Sequence, residues 1–450
     1  MTLTKDAHYY FIGIGGIGMS SLALALHKKG IQVSGSDLSS GLPTQLLKEQ
    51  GVVVHLGHHE TQVPLEAIVV VSTDIKGSNC ELISVQQKGL QILHRSDLLS
   101  LLMKQKRSIH VAGTHGKTTT SSLLAHVLHH AGVCDSFSLG GIPKAMGIHG
   151  ALGEKPYFVA EVDESDGSFL KHPGEYAIVT SLSDDHLDYW KGSSQLNDAF
   201  KQYMNQFDRE KIVYCADEKR LTDLNIPGTT YGIDHGEWRI KNIQVEAKGS
   251  FFDLVSEKES FADFFVPLRG IHNVKNAAAV VLIAMKLQVP LNDIRQGLIS
   301  FKGVRRRMDK VLVTETFSLY DDYGHHPREV ATTVQGAALS FGKENLRVIF
   351  EPHRYTRLRD NWENFLECLT GIEDLWVTDI YSAREEPIEG ITIERFMDDL
   401  KKRMSVRYVP RKDLARELLQ EPTQKKVWLA IGAGSIVFLS SEIKKILESS

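Results

Sequence analysis

The residues Gly113-Thr114-His115-Gly116-Lys117-Thr118-Thr119 are of the types and order that hold a nucleoside triphosphate. Glycines let backbone N–H groups converge on phosphate oxygens, and the amino end of a following helix adds a favourable dipole. A lysine at this place meets the β- and γ-phosphates, and the next hydroxyl coordinates Mg2+. The apolar run Ser108-Ile109-His110-Val111 before the loop reads as a strand, and Leu123, Leu124, Val127 and Leu128 after it carry helical spacing. Lys117 and Thr118 are therefore expected to serve ATP and metal. The eight-residue consensus has glycine where this chain has Val111, so a tight turn with a solvated lysine is the plain alternative.

A second glycine loop, Gly13-Ile14-Gly15-Gly16-Ile17-Gly18, lies between the apolar run Tyr9-Tyr10-Phe11-Ile12 and a helical pattern, with Asp37 after the next strand. This is the dinucleotide fingerprint. Its physics is a pyrophosphate on a helix amino end and a carboxylate near a ribose or base, and any nucleotide diphosphate meets it. NAD, a nucleotide-diphosphate substrate and a bare structural turn all stay open at this point.

Two acidic clusters follow apolar strands. Glu161-Val162-Asp163-Glu164-Ser165-Asp166 comes after Tyr157-Phe158-Val159-Ala160, and Ser183-Asp184-Asp185-His186-Leu187-Asp188 comes after Ala177-Ile178-Val179-Thr180. Carboxylates at the carboxyl edge of a sheet suit Mg2+, which takes a few hard oxygen ligands plus substrate phosphates. The two clusters are expected on adjacent strands, with Glu161 and His186 the favoured metal ligands beside Thr118. An acidic solvated loop is the alternative for Asp163 or Asp166 taken singly.

These residues need elements to hold them. Short apolar runs alternating with helical segments predict α/β architecture with parallel-rich sheets, and the pattern restarts twice, near Lys106 and near Met308. We expect three domains: 1–106, Rossmann-like; 107–308, a P-loop ATPase-like central domain; and 309–450, again Rossmann-like. Within the second, residues 242–266 alternate as antiparallel strands do, and 273–285 is Ala-rich and helical. A chain of 450 residues fits two or three domains, so a site between domains is a reasonable expectation.

Composition narrows the class. With 52 basic and 56 acidic residues the net charge is -4, and the basic residues are scattered, which argues against a nucleic-acid partner. Cys80, Cys134, Cys215 and Cys368 stand far apart, so neither a disulfide framework nor a thiolate zinc site is expected. No secretory leader is read at the start, and no apolar run reaches the roughly 20 residues that span a bilayer. The expected compartment is the cytoplasm, without membrane insertion; monomer and homodimer stay open.

Taken together the motifs resemble the Mur ligases of peptidoglycan synthesis over nearly the whole chain. The landmarks are GIGGIGMS from Gly13, Gly35-Ser36-Asp37, AGTHGKTTT from Ala112, EVDESD from Glu161 and Asp185-His186-Leu187-Asp188. They continue with His272-Asn273-Val274-Lys275-Asn276-Ala277, Arg306-Arg307, DDYGHHP from Asp321 and PHRYTR from Pro352. The resemblance implies three domains binding the UDP end of the substrate, ATP and the incoming amino acid. It implies that the first glycine loop, with Asp37, grips UDP and not NAD. It places Asn276, Arg307 and Asp322 with ATP, His272 and Asn273 near the reacting centre, and Tyr323, His325, His353 and Arg354 around the amino acid. The GIGGIGMS and DDYGHHP spellings look like the alanine-adding member, with UDP-N-acetylmuramate and L-alanine as substrates, more than like the tripeptide-recycling one. Three places depart from the family pattern: Ser435 stands at a usual aspartate, Ser21 at a common glycine, and Lys191-Gly192-Ser193 differs in wording.

The implied reaction is attack of the substrate carboxylate on the γ-phosphate of ATP, giving an acyl phosphate that the amine displaces. Lys117, His186 and Arg307 are the expected catalytic residues, and His186, His325 and His353 are candidates by type for a base near the amine. Closure of the domains on ligand is expected to exclude water. Competing readings are an NAD-dependent oxidoreductase, which leaves the second phosphate loop unexplained, and a nucleotide switch whose ATP hydrolysis ignores amino acids.

Overall fold

The computed structural model describes residues 3–246, 248–383, 385–421 and 424–449, and of Asp188 the backbone alone. It divides into two compact units, Met1–Gly303 and Val304–Ser450.

In the first unit the strands Tyr9–Ile12 (β1), Val33–Asp37 (β2), Val53–Leu56 (β3), Ile68–Val71 (β4) and Ile92–His94 (β5) pair in the order β3-β2-β1-β4-β5. Every pairing is parallel. The central strand β1 is buried over all four residues, which is why it reads as a continuous apolar run instead of an alternating one. Order reverses beside β1, so the loop after it opens at the switch point where such sheets take ligands.

A second sheet holds Arg107–Ala112 (β6), Cys134–Ser138 (β7), Gly150–Ala151 (β8), Tyr157–Glu161 (β9), Tyr176–Val179 (β10), Ile212–Cys215 (β11), Thr229–Gly232 (β12), Trp238–Glu246 (β13), Gly249–Val255 (β14) and Ser260–Val266 (β15). Its order is β15-β14-β13-β12-β11-β10-β6-β9-β7-β8. The β13-β14 and β14-β15 pairings are antiparallel, as the alternation over 242–266 predicts. One expectation is corrected here. β9 and β10 are not neighbours: β6 lies between them and pairs in parallel with both, so the phosphate-loop strand is flanked by the two acidic clusters. Strand order is set by long-range pairing, which sequence proximity does not report.

One apolar cluster runs from Phe11, Leu24 and Leu102 beneath the first sheet to Phe158, Phe200 and Tyr203 beneath the second. At about 1.5–3 kcal/mol per fully buried large side chain, this shared packing makes residues of both sheets a single compact unit. The helices Lys117–His130 and Ile271–Lys286 lie against each other, the latter with ten buried positions, including Asn276.

The second unit carries Asp309–Val313 (β16), Ser318–Asp322 (β17), Leu346–Phe350 (β18), Leu375–Val377 (β19), Arg407–Tyr408 (β20) and Val427–Ile431 (β21), ordered β16-β17-β21-β18-β19-β20. Only β16 runs antiparallel to its neighbour. Apolar clusters pack on both faces of this sheet, around Phe350, Phe365 and Phe396 and around Trp376, Trp428 and Leu439. Among the described residues no helix is long and apolar enough to cross a membrane.

Candidate active site

The glycine loop after β1 is held from below by β2. Ser36 carbonyl oxygen accepts from Gly13 and Ile14 N–H at 2.8 and 2.9 Å, and Asp37 Oδ2 accepts from Gly15 N–H at 2.9 Å. Gly13 has φ +80, and a Cβ on Gly15 would come within 2.7 Å of Thr44 Cγ2 and 2.8 Å of Asp37 Oδ2. Glycine is thus required twice, for a left-handed turn and for close approach. Gly16 then caps the helix Ile17–Lys28, whose amino end opens beside Gly18. Asp37 is a loop fastener here, with Ser39 N–H on its other oxygen.

The loop after β6 is laced to the residues following β10. Thr114 N–H donates to Ser181 carbonyl at 3.1 Å, His115 N–H to Ser181 Oγ at 2.8 Å, and Thr180 Oγ1 to His115 carbonyl at 2.5 Å. Ser183 Oγ lies 3.0 Å from both Thr114 Oγ1 and His115 Nε2. A Cβ on Gly113 would strike Thr180 Oγ1 at 2.3 Å, and Gly116, at φ +83, comes close to Asn276. Lys117, Thr118 and Thr119 form the first turn of the helix that begins there.

The side chains leaving this turn meet the acidic cluster. Lys117 Nζ lies 2.8 Å from Glu164 Oε2 and 3.6 Å from Asp163 Oδ1. Burial works against its positive charge, but Glu164, Asp163 and Glu161 outweigh burial and hold the ammonium above the ordinary lysine value. Burial alone would raise Asp163; Lys117 and a hydrogen bond from Ser165 pull it down to about 2. Thr118 and Ser121 hydroxyls each donate to Glu161 at 2.9 Å, and Gly140 N–H adds a third bond at 2.8 Å.

His186 sits in the left-handed region at φ 52, with its N–H on Asp185 Oδ1 at 2.8 Å. Among the described residues, one ligand atom each from Asp163, Glu164 and His186 come within 4.8 Å of one another. Of the three expected metal ligands, then, Thr118 and Glu161 are joined directly, while His186 groups with Asp163 and Glu164. The carboxylates and the hydroxyl are hard oxygen donors that fit a small divalent cation, with the His186 imidazole as the nitrogen donor beside them. Arg95 reaches Asp166 at 3.1 Å, tying the first sheet to the same acidic loop. The roles of Glu164, Thr180, Ser181 and Arg95 were not drawn from the sequence; their only signal was polar residues following an apolar strand.

In the second unit Arg307 lies 3.6 Å from Glu329 and its guanidinium is 5.8 Å from the Tyr323 ring centre. Asp322 is 3% exposed and accepts from Met308 N–H, Gly324 N–H and Thr333 Oγ1 at 2.8, 2.9 and 3.2 Å. Tyr323, His325 and His353 form a run of rings: Tyr323 to His325 centroids are 5.1 Å apart and His325 to His353 5.8 Å, with Tyr381 stacked on His353 at 5.6 Å. Burial lowers His325 to about 4 against the pull of Glu329, and burial with Arg357 lowers His353 to about 2. Arg354 takes the left-handed φ of 69, and among the described residues its Nε is buried without an acceptor. A guanidinium so placed is equipped for a carboxylate.

The departures from the family pattern have local partners. Ser435 Oγ donates to the buried Glu351 carboxylate at 2.5 Å, Ser21 Oγ lies 2.6 Å from Ser138 Oγ, and Ser193 Oγ donates to Asp184 at 2.7 Å.

Two nucleotide-type loops, one of them set in a carboxylate cluster, suit a nucleotide-handling enzyme, and likeness to known proteins puts it in the ATP-dependent ligase class. Residues 8–107 match the Mur ligase family catalytic domain, 111–284 the Mur ligase middle domain and 306–434 the Mur ligase glutamate ligase domain. The chain is 37% identical to a UDP-N-acetylmuramate–L-alanine ligase of Protochlamydia amoebophila, covering 98% of each. It superposes on a UDP-N-acetylmuramate-alanine ligase from Thermotoga maritima with TM-score 0.85 and 27% identity, over 98% of this chain and 99% of that one. A murein peptide ligase from Psychrobacter arcticus shares the fold at TM-score 0.72 and 23% identity, over 99% and 98%. The chain belongs to the Mur ligase family.

Proposed function

We propose that the chain uses ATP to join L-alanine to the carboxylate of UDP-N-acetylmuramate, releasing ADP and phosphate in peptidoglycan precursor synthesis. The observation that carries the ATP-dependent step is Lys117 at the head of its helix, set among Glu161, Asp163, Glu164 and His186. The choice of alanine and the sugar nucleotide is supported by the 37% identical relative that carries those substrates in its name. A carboxylate is a poor electrophile, and converting it to an acyl phosphate gives the amine a leaving group to displace. Transfer of the phosphoryl group needs its charge neutralised as it develops, which falls to Lys117, the amino end of its helix and Arg307. Thr118, Glu161 and His186, with Asp163 and Glu164, would hold Mg2+, which supplies charge stabilisation to the phosphates when bound.

In this reading residues 1–106 take the UDP end through the Gly13 to Gly18 loop and Asp37. Residues 107–308 take ATP through Gly113, Thr114, His115, Gly116, Lys117, Thr118, Thr119 and Asn276. Residues 309–450 take the amino acid through Tyr323, His325, His353 and Arg354, while Asp322, which accepts from Met308 N–H beside Arg307, serves ATP with that arginine. The buried Nε of Arg354 supports a carboxylate there.

Isotope transfer tests the pathway. With 18O in the substrate carboxylate, one label is expected in the phosphate released; phosphate free of label would exclude the acyl phosphate.

A further inference from the structure

Of the three candidates for the base near the incoming amine, His186 groups with the carboxylates of Asp163 and Glu164, and the hydrogen bonds of His325 and His353 separate the other two. A backbone carbonyl only accepts, so the 3.0 Å contact of His325 Nδ1 with Tyr323 carbonyl puts the proton on Nδ1. Glu329 Oε2, 3.5 Å from the same nitrogen, favours the same proton. The lone pair of His325 is therefore at Nε2. Arginine only donates, so the 2.7 Å contact of Arg357 with His353 Nδ1 puts the lone pair of His353 on Nδ1 and its proton at Nε2.

The two imidazoles, with ring centres 5.8 Å apart, thus present opposite functions through the same ring atom. Charge reinforces the difference. His325 faces Glu329 as well as Arg357 and Arg307, whereas His353 faces Arg357, Arg354, Arg306 and His325. A cation on His353 would have no carboxylate among those neighbours; one on His325 would have Glu329.

Building on the amino-acid site proposed above, we infer that His325 Nε2 is the base for the amine and that His353 is a donor that positions the amino acid and takes no proton. The amine nitrogen forms the C–N bond to the acyl carbon while the C=O pair moves to oxygen. His325 Nε2 takes the proton that the nitrogen releases once that bond exists. Collapse of the adduct expels phosphate with the C–O electron pair, and the imidazolium, next to Glu329, returns its proton to solvent. His353 Nε2–H, beside Arg354, donates to the carboxylate of the amino acid.

Nitrogen-15 spectra of histidine-labelled full-length chain, assigned with His325→Gln and His353→Gln, test the tautomers directly. Protonated Nδ1 at His325 and protonated Nε2 at His353 are expected; a common tautomer at both overturns the inference. Kinetics test the roles. His325→Gln is expected to lower kcat by about a hundredfold, the usual contribution of a general base, with the amino-acid KM little changed. The same variant retains exchange of ADP into ATP with UDP-N-acetylmuramate and no amino acid, a step that precedes the amine. His353→Ala, which removes the donor, raises the amino-acid KM more than it lowers kcat, and His353→Gln, which keeps a donor near the Nε2 position, recovers most of that KM. The reverse split, or His325→Gln at wild-type kcat, overturns the assignment while leaving alanine as the substrate. If the wild-type chain shows neither the exchange nor a response to alanine, the amino-acid reading itself falls, and this inference with it.

Discussion

Lys117 and Glu164 form a buried ion pair, Nζ to Oε2 2.8 Å, with Glu164 1% exposed in its side chain. Removing one partner of such a pair strands the other charge, at a cost of about 3–5 kcal/mol. Lys117→Ala is therefore expected to abolish ADP release and also to lower stability by an amount in that range. Lys117→Ala with Glu164→Gln should recover most of the stability and none of the ADP release. Urea unfolding of the three chains decides this; a single variant with a wild-type midpoint would sink the pairing.

Gly15 is the tightest point of the first glycine loop, where any side chain meets Thr44 and Asp37. Gly15→Ala is expected to raise the KM for UDP-N-acetylmuramate by about tenfold, equivalent to about 1.4 kcal/mol, with the KM for ATP unmoved. Equal effects on both substrates would show that the loop does not serve the sugar nucleotide alone.

Four histidines of the first unit are buried and neutral. Burial lowers His110 to about 3 and His126, His149 and His172 each to about 4. Their folded values lie below the unfolded 6.5, so the unfolded chain binds more protons as pH falls, and stability present above pH 6.5 is lost toward pH 4. Each contributes a slope of roughly 1.4 kcal/mol per pH unit between those limits. His149→Phe should flatten the dependence of unfolding free energy on pH between 5 and 6 by about that amount. An unchanged slope would mean His149 titrates alike in both states.

Ser435 and Glu351 form a coupled pair in the second unit, Glu351 being 1% exposed with Ser435 Oγ and Ile436 N–H on its carboxylate. Placing the family's usual aspartate here sets a second carboxylate against a buried one. Ser435→Asp is expected to destabilise by about 1–3 kcal/mol, and Glu351→Gln in the same chain to restore it. A double-variant cycle by thermal unfolding measures the coupling; additive effects would refute it.

The strands β1, β4 and β21 coincide with apolar runs plain in the sequence, because all are buried on both faces. The glycine loops were legible for a related reason, since a strand, a turn and a helix amino end are consecutive in the chain. What stayed hidden depends on pairing between distant segments. That β6 separates β9 from β10, that Thr180 and Ser181 lace the phosphate loop, and that Lys117 meets Glu164 all follow from strand order. The same holds for the histidine tautomers. His325 and His353 are alike in sequence, and only the carbonyl of Tyr323 and the guanidinium of Arg357 tell them apart.

The central claim is that the chain couples ATP cleavage to joining alanine and UDP-N-acetylmuramate. ADP release measured with that sugar nucleotide, scanned over the amino acids and the tripeptide in parallel, tests it most directly. Release that requires the sugar nucleotide and is greatest with L-alanine is the expected result. Release that prefers the tripeptide, or that proceeds at the same rate with no amino acid, would contradict it.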